Sequence, residues 1–117
     1  MFEFIEGTFE EINPSYLVVN CSGVGFKIEI PLSSYACFKN KERGKVFVHQ
    51  IIREDAHLMF GFASKKDRTL FRELISVNGV GANTARMMLS SLETDELIRA
   101  VVKEDIATIK SIKGIGL

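Results

Sequence analysis

The sequence has few of the residues on which metal, redox and membrane proteins depend. Of its 117 residues only Cys21 and Cys37 are cysteines, and they form neither a Cys-x-x-Cys pair nor a Cys/His cluster with metal-ligand spacing. No apolar run approaches the roughly 20 residues needed to cross a bilayer, and acids stand where a signal peptide has its basic region. We therefore expect a soluble, cytoplasmic protein with reduced cysteines, no metal, no cofactor and no membrane partner.

The sequence also lacks an excess of charge of one sign. Its 15 Lys and Arg residues balance 15 Asp and Glu residues, whereas phosphate binding usually leaves a basic footprint. The total conceals a split, because residues 1–62 carry 6 basic and 8 acidic side chains, while residues 63–117 carry 9 and 7. If the partner is DNA, we expect the second half to hold its backbone.

The first half has the period of β-strands. Apolar residues occupy every second position in two segments, namely Val24, Phe26, Ile28, Ile30 and Leu58, Phe60, Phe62. The pattern predicts that one face of each strand is buried. Further strands are predicted over residues 2–12, 15–21 and 45–53, and a short helix over residues 33–38. Five strands with a helix after the third predict an OB-like Greek-key barrel in residues 1–62.

The second half changes to helical spacing. Ser64 can cap a helix over about 65–77, and a second helix, ending near residue 91, has three apolar residues directed inward, Ala85, Met88 and Leu89. Thr94 and Asp105 can cap a third and a fourth helix. The predicted fold class is therefore α+β, with an all-helical domain over residues 63–117 after the barrel.

An internal repeat lies within the helical half. Residues 74–81 align with residues 109–116, 35 positions later, with three identities: Ser76/Ser111, Gly79/Gly114 and Gly81/Gly116. Each copy is a helix end followed by a Gly-aliphatic-Gly turn. Two unrelated short helices would seldom share that arrangement.

The two turns have a direct physical use. Glycine permits positive φ and close approach, so consecutive N–H groups at the start of the next helix can bind a phosphate without reading sequence. A single copy would be better explained as an ordinary helix C-cap, and two copies in register favour the phosphate site. The candidate DNA-binding residues are Asn78, Gly79, Val80, Gly81, Lys113, Gly114, Ile115 and Gly116.

These segments resemble a known family. Asn78-Gly-Val-Gly81 and Lys113-Gly-Ile-Gly116 resemble paired helix-hairpin-helix motifs. Residues 48–62, followed by Arg68–Ile75 and the first of these motifs, are similar to the RuvA family. The resemblance to this family covers the whole chain in order. The resemblance implies a DNA-binding subunit for four-way (Holliday) junctions in recombination, repair and the SOS response. It implies a homotetramer, or an octamer on DNA, bound to an unfolded and roughly square junction.

The resemblance also implies roles for individual residues. Glu54 and Asp55 correspond to an acidic pin at the crossover, and Arg86, one turn after Gly81, takes the place of the basic residue that the family often has nearer the second glycine. The chain itself is then not an enzyme, since ATP hydrolysis belongs to the RuvB motor and no Walker-type motif occurs here. The RuvC resolvase is a further partner of the full-length protein.

The resemblance further implies a fragment. The chain ends at Leu117, before the last helix of the second hairpin, so this hairpin is expected to be truncated. The linker and the third domain, through which the family engages its motor, would also follow Leu117. We therefore expect the contact with RuvB to be missing from this chain.

Other interpretations remain open on the residues alone. Glu54 and Asp55 have the composition of an ordinary hairpin tip, and His49 and His57 are predicted to be strand residues. We expect core packing for most of five phenylalanines that could also be stacking platforms, Phe2, Phe4, Phe9, Phe26 and Phe60. The alternative functions are a DNA-binding fragment of a helix-hairpin-helix repair enzyme and a protein-interaction module that does not bind DNA.

Overall fold

The computed structural model describes residues 1–91. Their elements are β1 (Phe4–Ile12), β2 (Tyr16–Cys21), β3 (Val24–Glu29), α1 (Leu32–Phe38), β4 (Arg43–Ile52), β5 (His57–Phe62), α2 (Lys65–Ile75) and α3 (Ala82–Ser91). The α+β class and all five strands are confirmed. Contacts divide the chain into a unit Met1–Arg68 and a unit beginning at Thr69. The predicted domain boundary at residue 62 remains an interpretation, and the helices predicted after Thr94 and Asp105 lie outside the described residues.

The five strands form a closed barrel in the order β1-β2-β3-β5-β4. β1 closes it by pairing with two strands, since its first half is antiparallel to β4 and its second half to β2. The change of partner is at Thr8, which pairs with both Arg43 of β4 and Asn20 of β2, and a bulge follows between Phe9 and Glu11. Such a bulge bends a strand and increases its twist, which allows nine residues to serve both neighbours.

The barrel interior is filled by alternating residues of the strands and by α1. Nine buried residues form the core, Ile5, Phe9, Leu17, Val19, Ile28, Ile30, Phe38, Val46 and Val48. Phe38 of α1 meets Phe9 edge to face, with ring centroids 5.4 Å apart. The helix is tied down by Ser34, whose buried hydroxyl accepts a hydrogen bond of 3.1 Å from the Ala63 N–H.

Two expectations about strand faces were incomplete. Val24 belongs to the predicted buried face of β3 but is 54% exposed, because it begins the strand at the outermost pair beside a turn. β5 is buried on both faces at its end, since Gly61 faces the core, where a Cβ would lie 2.6 Å from Val46 Cγ1, and its neighbours Phe60 and Phe62 are also buried.

The expectation that most of the five phenylalanines pack in the core is confirmed, with two exceptions. Phe9 and Phe60 are buried and Phe26 packs partly buried against the core. Phe2 and Phe4 are 46% and 41% exposed. The physical reason is position, because Phe2 precedes β1 and Phe4 lies on the face of β1 opposite to the buried Ile5.

Helix α2 begins as its sequence predicts. The Ser64 hydroxyl accepts a hydrogen bond of 3.2 Å from the Asp67 N–H, which is the capping contact expected of a serine at this position. In the helices the inward residues are those with helical spacing, Leu70, Phe71, Leu74, Ala82, Ala85, Met88 and Leu89. Over residues 1–91, no helix combines the length and apolarity that a membrane span requires.

Candidate nucleic-acid interface

The first predicted hairpin is a tight turn between α2 and α3. The Val80 N–H donates to the Val77 carbonyl at 3.1 Å, and Gly79, the third residue of that turn, has φ of +88°. A type II turn requires a positive φ at this position, which favours glycine. The structure therefore explains Gly79 by the local backbone alone.

Gly81 has a different explanation. Its φ is not positive, and a Cβ built on it would meet no atom of the described residues within 4 Å. Its carbonyl accepts the Ala85 N–H at 2.9 Å, so Gly81 is the N-cap residue that directly precedes α3. Neither backbone conformation nor packing in the described part of the chain requires glycine here. What a glycine does provide is an exposed backbone that another molecule can approach closely.

The start of α3 offers a group of backbone donors. The first N–H groups of a helix have no partner within it, and here they belong to Gly81, Ala82, Asn83 and Thr84. Within residues 1–91 the structure gives none of these four an acceptor. Together with the positive end of the helix dipole they have the chemistry of an anion site.

The side chains around the turn are mostly exposed. Asn78 and Gly79 are exposed, and Val80 is half-buried. Arg86 is half-buried, and one of its guanidinium nitrogens lies 3.3 Å from the Asn83 side-chain oxygen. The guanidinium is thereby connected to the first turn of α3, where the donors lie. Its DNA contact remains a prediction.

The second predicted hairpin, Lys113, Gly114, Ile115 and Gly116, lies outside the described residues. Its pairing with the first hairpin stays a prediction from the sequence repeat.

The residues predicted to form an acidic pin lie at the tip of the β4–β5 hairpin. The Arg53 N–H donates to the Ala56 carbonyl at 2.7 Å, so Glu54 and Asp55 are the two central residues of a tight turn, and both are exposed. His49 and His57 are in β4 and β5, as predicted. Among the described residues no group of three or more His, Cys, Asp or Glu could hold a metal ion.

Sequence reasoning missed two features of the barrel. Ile52, the last residue of β4, is 62% exposed, and only its place beside the turn distinguishes it from the buried aliphatic residues before it. The second is a basic segment, since four of the six basic residues of the first half lie within residues 39–45, all exposed: Lys39, Lys41, Arg43 and Lys45. Counting charge over the whole half had concealed it.

A closed five-stranded barrel followed by helices joined at a Gly-x-Gly turn defines a barrel plus helix-hairpin-helix protein. Residues 1–61 match the family described as RuvA N terminal domain, and residues 71–117 match the SAM-like helix-hairpin-helix tandem. The chain belongs to the RuvA family.

Relatives in three genera resemble the chain over nearly all its length. Proteins of Christiangramia forsetii and Parabacteroides distasonis are each 47% identical, over 99% and 96% of this chain. One of Laribacter hongkongensis is 44% identical over 96%. All three are named Holliday junction branch migration complex subunit RuvA. The chain spans 60%, 57% and 56% of their respective lengths.

Proposed function

We propose that this chain binds four-way DNA junctions by their shape and without reading sequence, as the DNA-binding part of a branch-migration complex. The observation that carries the proposal is the start of α3, where Gly81, a glycine that the described fold does not need, and the three residues after it have backbone N–H groups without an acceptor within residues 1–91. Backbone donors of this kind suit phosphates, and phosphate contacts position a protein without specifying bases.

Acidic residues of the barrel support the same proposal, because they repel the phosphates that the start of α3 is proposed to bind. Glu54 and Asp55 project from a hairpin tip, where carboxylates repel phosphates instead of binding them. A protein that binds DNA at one feature and repels it at another favours those DNA shapes that satisfy both. An open junction, whose four arms leave a central gap, is such a shape.

The relatives' names supply the biological setting, a Holliday junction branch migration complex. We propose that this chain contributes DNA binding to recombination and repair in the cytoplasm and is not itself an enzyme. Assembly as a homotetramer, or as an octamer on DNA, would place several hairpins on one junction. Contacts with a RuvB motor and a RuvC resolvase belong to the proposed role of the longer protein.

The test compares a four-way junction with a linear duplex of the same total sequence at one salt concentration. We expect tighter binding to the junction, with an affinity that is unchanged when the arm sequences are permuted. Equal affinity for junction and duplex would reject shape recognition. No binding to either at low salt would favour the protein-interaction module instead.

A further inference from the structure

The β4–β5 hairpin extends beyond the part of the barrel that is fully buried. On β4 the last buried residue is Val48, and on β5 the first is Phe60. Three residue pairs lie further out, ending with Ile52 opposite His57. At about 3.4 Å per residue, Ile52 lies roughly 14 Å along the strand from Val48.

The outermost pair carries an apolar residue where the fold offers it no cover. Ile52 is 62% exposed, more than any other large hydrophobic residue described except the terminal Met1. It directly precedes the turn that holds Glu54 and Asp55. The tip therefore presents an aliphatic side chain and two carboxylates together.

An open crossover has two kinds of surface, charged phosphates and the apolar faces of base pairs. The carboxylates and the aliphatic side chain of the tip differ in how they interact with each. Carboxylates oppose phosphates, but they gain nothing from base pairs. Where the arms of an open junction separate, the last base pair of each arm loses its stacking neighbour and exposes an apolar face. Aliphatic side chains are used in this way at kinked DNA steps, where they pack against unstacked bases.

We propose that Ile52 is an apolar contact for the base faces exposed at the crossover, while Glu54 and Asp55 keep phosphates away from it. This inference rests on the proposed junction binding. The hairpin tip would then attract exposed bases through Ile52 and repel phosphates through Glu54 and Asp55. Its energy comes from burial of apolar surface, so it adds to junction binding and not to duplex binding, where base faces are already stacked.

The chain contains a matched control for this residue. Val24 is also β-branched, 54% exposed, and in the outermost pair of a hairpin, opposite Cys21 beside the Ser22-Gly23 turn. Ile52→Thr and Val24→Thr make closely similar changes at the two tips, since each replaces one apolar branch by a hydroxyl, an ethyl group in Ile52 and a methyl group in Val24. Threonine keeps the β-branch that suits a strand, so the thermal unfolding midpoint should stay that of the wild type in both variants.

The experiment measures dissociation constants for junction and duplex with the 117-residue chain. We expect Ile52→Thr to weaken junction binding about fivefold, with duplex binding unchanged. Val24→Thr should alter neither, and Ile52→Leu should restore junction binding. A second readout is the fluorescence of 2-aminopurine placed at the crossover, measured at saturating protein. Binding should raise it by unstacking the base, and less so with Ile52→Thr.

The outcomes separate this inference from the proposed function. If the wild type does not prefer junctions, both fail. If the wild type prefers junctions but Ile52→Thr behaves like Val24→Thr in affinity and fluorescence, only the role of Ile52 is overturned. Equal weakening on junction and duplex would also overturn it, because a base-face contact exists only at the crossover.

Discussion

Arg68 donates two hydrogen bonds to a single residue, Glu3. One guanidinium nitrogen contacts the Glu3 carbonyl at 2.7 Å and the other contacts its carboxylate at 2.9 Å. The Arg68 side chain is 7% exposed, whereas that of Glu3 is 57% exposed. The guanidinium also lies 5.6 Å from the centre of the Phe47 ring. A buried guanidinium is costly unless its donors are bonded, so Glu3 stabilises the first turn of α2 against the barrel strands.

Replacing Arg68 by lysine should lower the free energy of unfolding by about 2 kcal/mol, because one ammonium cannot reproduce the two-pronged contact. Urea unfolding can be followed by the fluorescence of Tyr16 and Tyr35, which both lie in the first unit. Glu3→Gln is the control. It keeps the carbonyl acceptor and changes only a half-exposed carboxylate, so it should cost less. Equal costs would show that the ion pair, not the hydrogen bond to the Glu3 carbonyl, stabilises this turn.

Gly81 and Gly79 should respond differently to the same small change. Gly81→Ala puts a methyl group into open space at an ordinary φ, so stability should be unchanged while junction affinity falls about tenfold, because the methyl group obstructs phosphate approach. Gly79→Ala, at φ +88°, should lower stability as well. Thermal unfolding and junction titration measure the two effects.

A charge control accompanies the glycine pair. Lys39→Gln and Lys41→Gln remove exposed cations from the barrel, and they should weaken junction binding less than either glycine variant. If Gly81→Ala binds junctions as the wild type does, the start of α3 is not the phosphate site. Equal losses from the lysine and glycine variants would mean that the hairpin is only structural.

Arg86 should contribute to the salt dependence of binding. Phosphate contacts by cations release counterions, so we expect steep weakening with salt, and Arg86→Gln should reduce the slope of log K against log [salt] by about 0.9. Gly81→Ala should lower affinity with little change in slope, because its donors are uncharged. An unchanged slope in Arg86→Gln would remove Arg86 from the DNA contact.

The sequence predicted where the strands and helices lie better than which of their side chains are exposed or in contact. Alternation and turn residues located the strands, and Ser64 located the start of α2, because these are local effects. Alternation could not show that Val24 and Ile52 lose their cover at hairpin ends, since that depends on how far each strand extends beyond the core. Nor could it pair Arg68 with Glu3, because their contact joins residues 65 positions apart.

The same distinction applies to the candidate interface. The Gly-x-Gly pattern predicted the turn, but it could not distinguish the two glycines. The positive φ of Gly79 explains that glycine, whereas neither the φ nor the surroundings of Gly81 require one. The role of Glu54 and Asp55 as an acidic pin stays a prediction from the resemblance, since two acids at a hairpin tip are ordinary in composition. Their place at the end of an extended hairpin is a result of register, which is set by pairing across the whole of β4 and β5.

Tyr16 provides a pH test of the barrel. Its hydroxyl donates to a Glu11 carboxylate oxygen at 2.6 Å. This hydrogen bond, followed by burial and the charge of Glu11, raises the pKa of Tyr16 above its ordinary value. Because the folded-state pKa is the higher one, the contact stabilises fully below the ordinary tyrosine pKa, and its contribution is lost as the pH rises through the raised value.

Glu11→Gln should move the pKa of Tyr16 back towards its ordinary value, because the neighbouring negative charge is removed. The phenolate absorbance of Tyr16 can be titrated in a Tyr35→Phe background, which leaves Tyr16 as the only tyrosine. Coincident titration curves with and without Glu11→Gln would show that the carboxylate does not control this ionisation.

The last prediction concerns repulsion at the crossover. Glu54 and Asp55 are exposed at the hairpin tip, and a homotetramer on one junction would gather up to eight carboxylates near its centre. A residue that binds phosphates at the centre of the junction would be lysine or arginine. Acids must instead exclude certain backbones from the centre, and exclusion of this kind gives specificity at the expense of affinity.

Neutralising the pair, Glu54→Gln with Asp55→Asn, should therefore strengthen binding to linear duplex and reduce the preference for junctions. The fold should persist, because an exposed hairpin tip tolerates such changes. The measurement is the ratio of duplex to junction dissociation constants at one salt concentration, and the effect should shrink as salt screens the carboxylates. Arg53→Gln, which removes the opposite charge at the same turn, should shift duplex affinity the other way. If neutralisation weakens binding to both DNAs or leaves the ratio unchanged, Glu54 and Asp55 are an ordinary solvated turn.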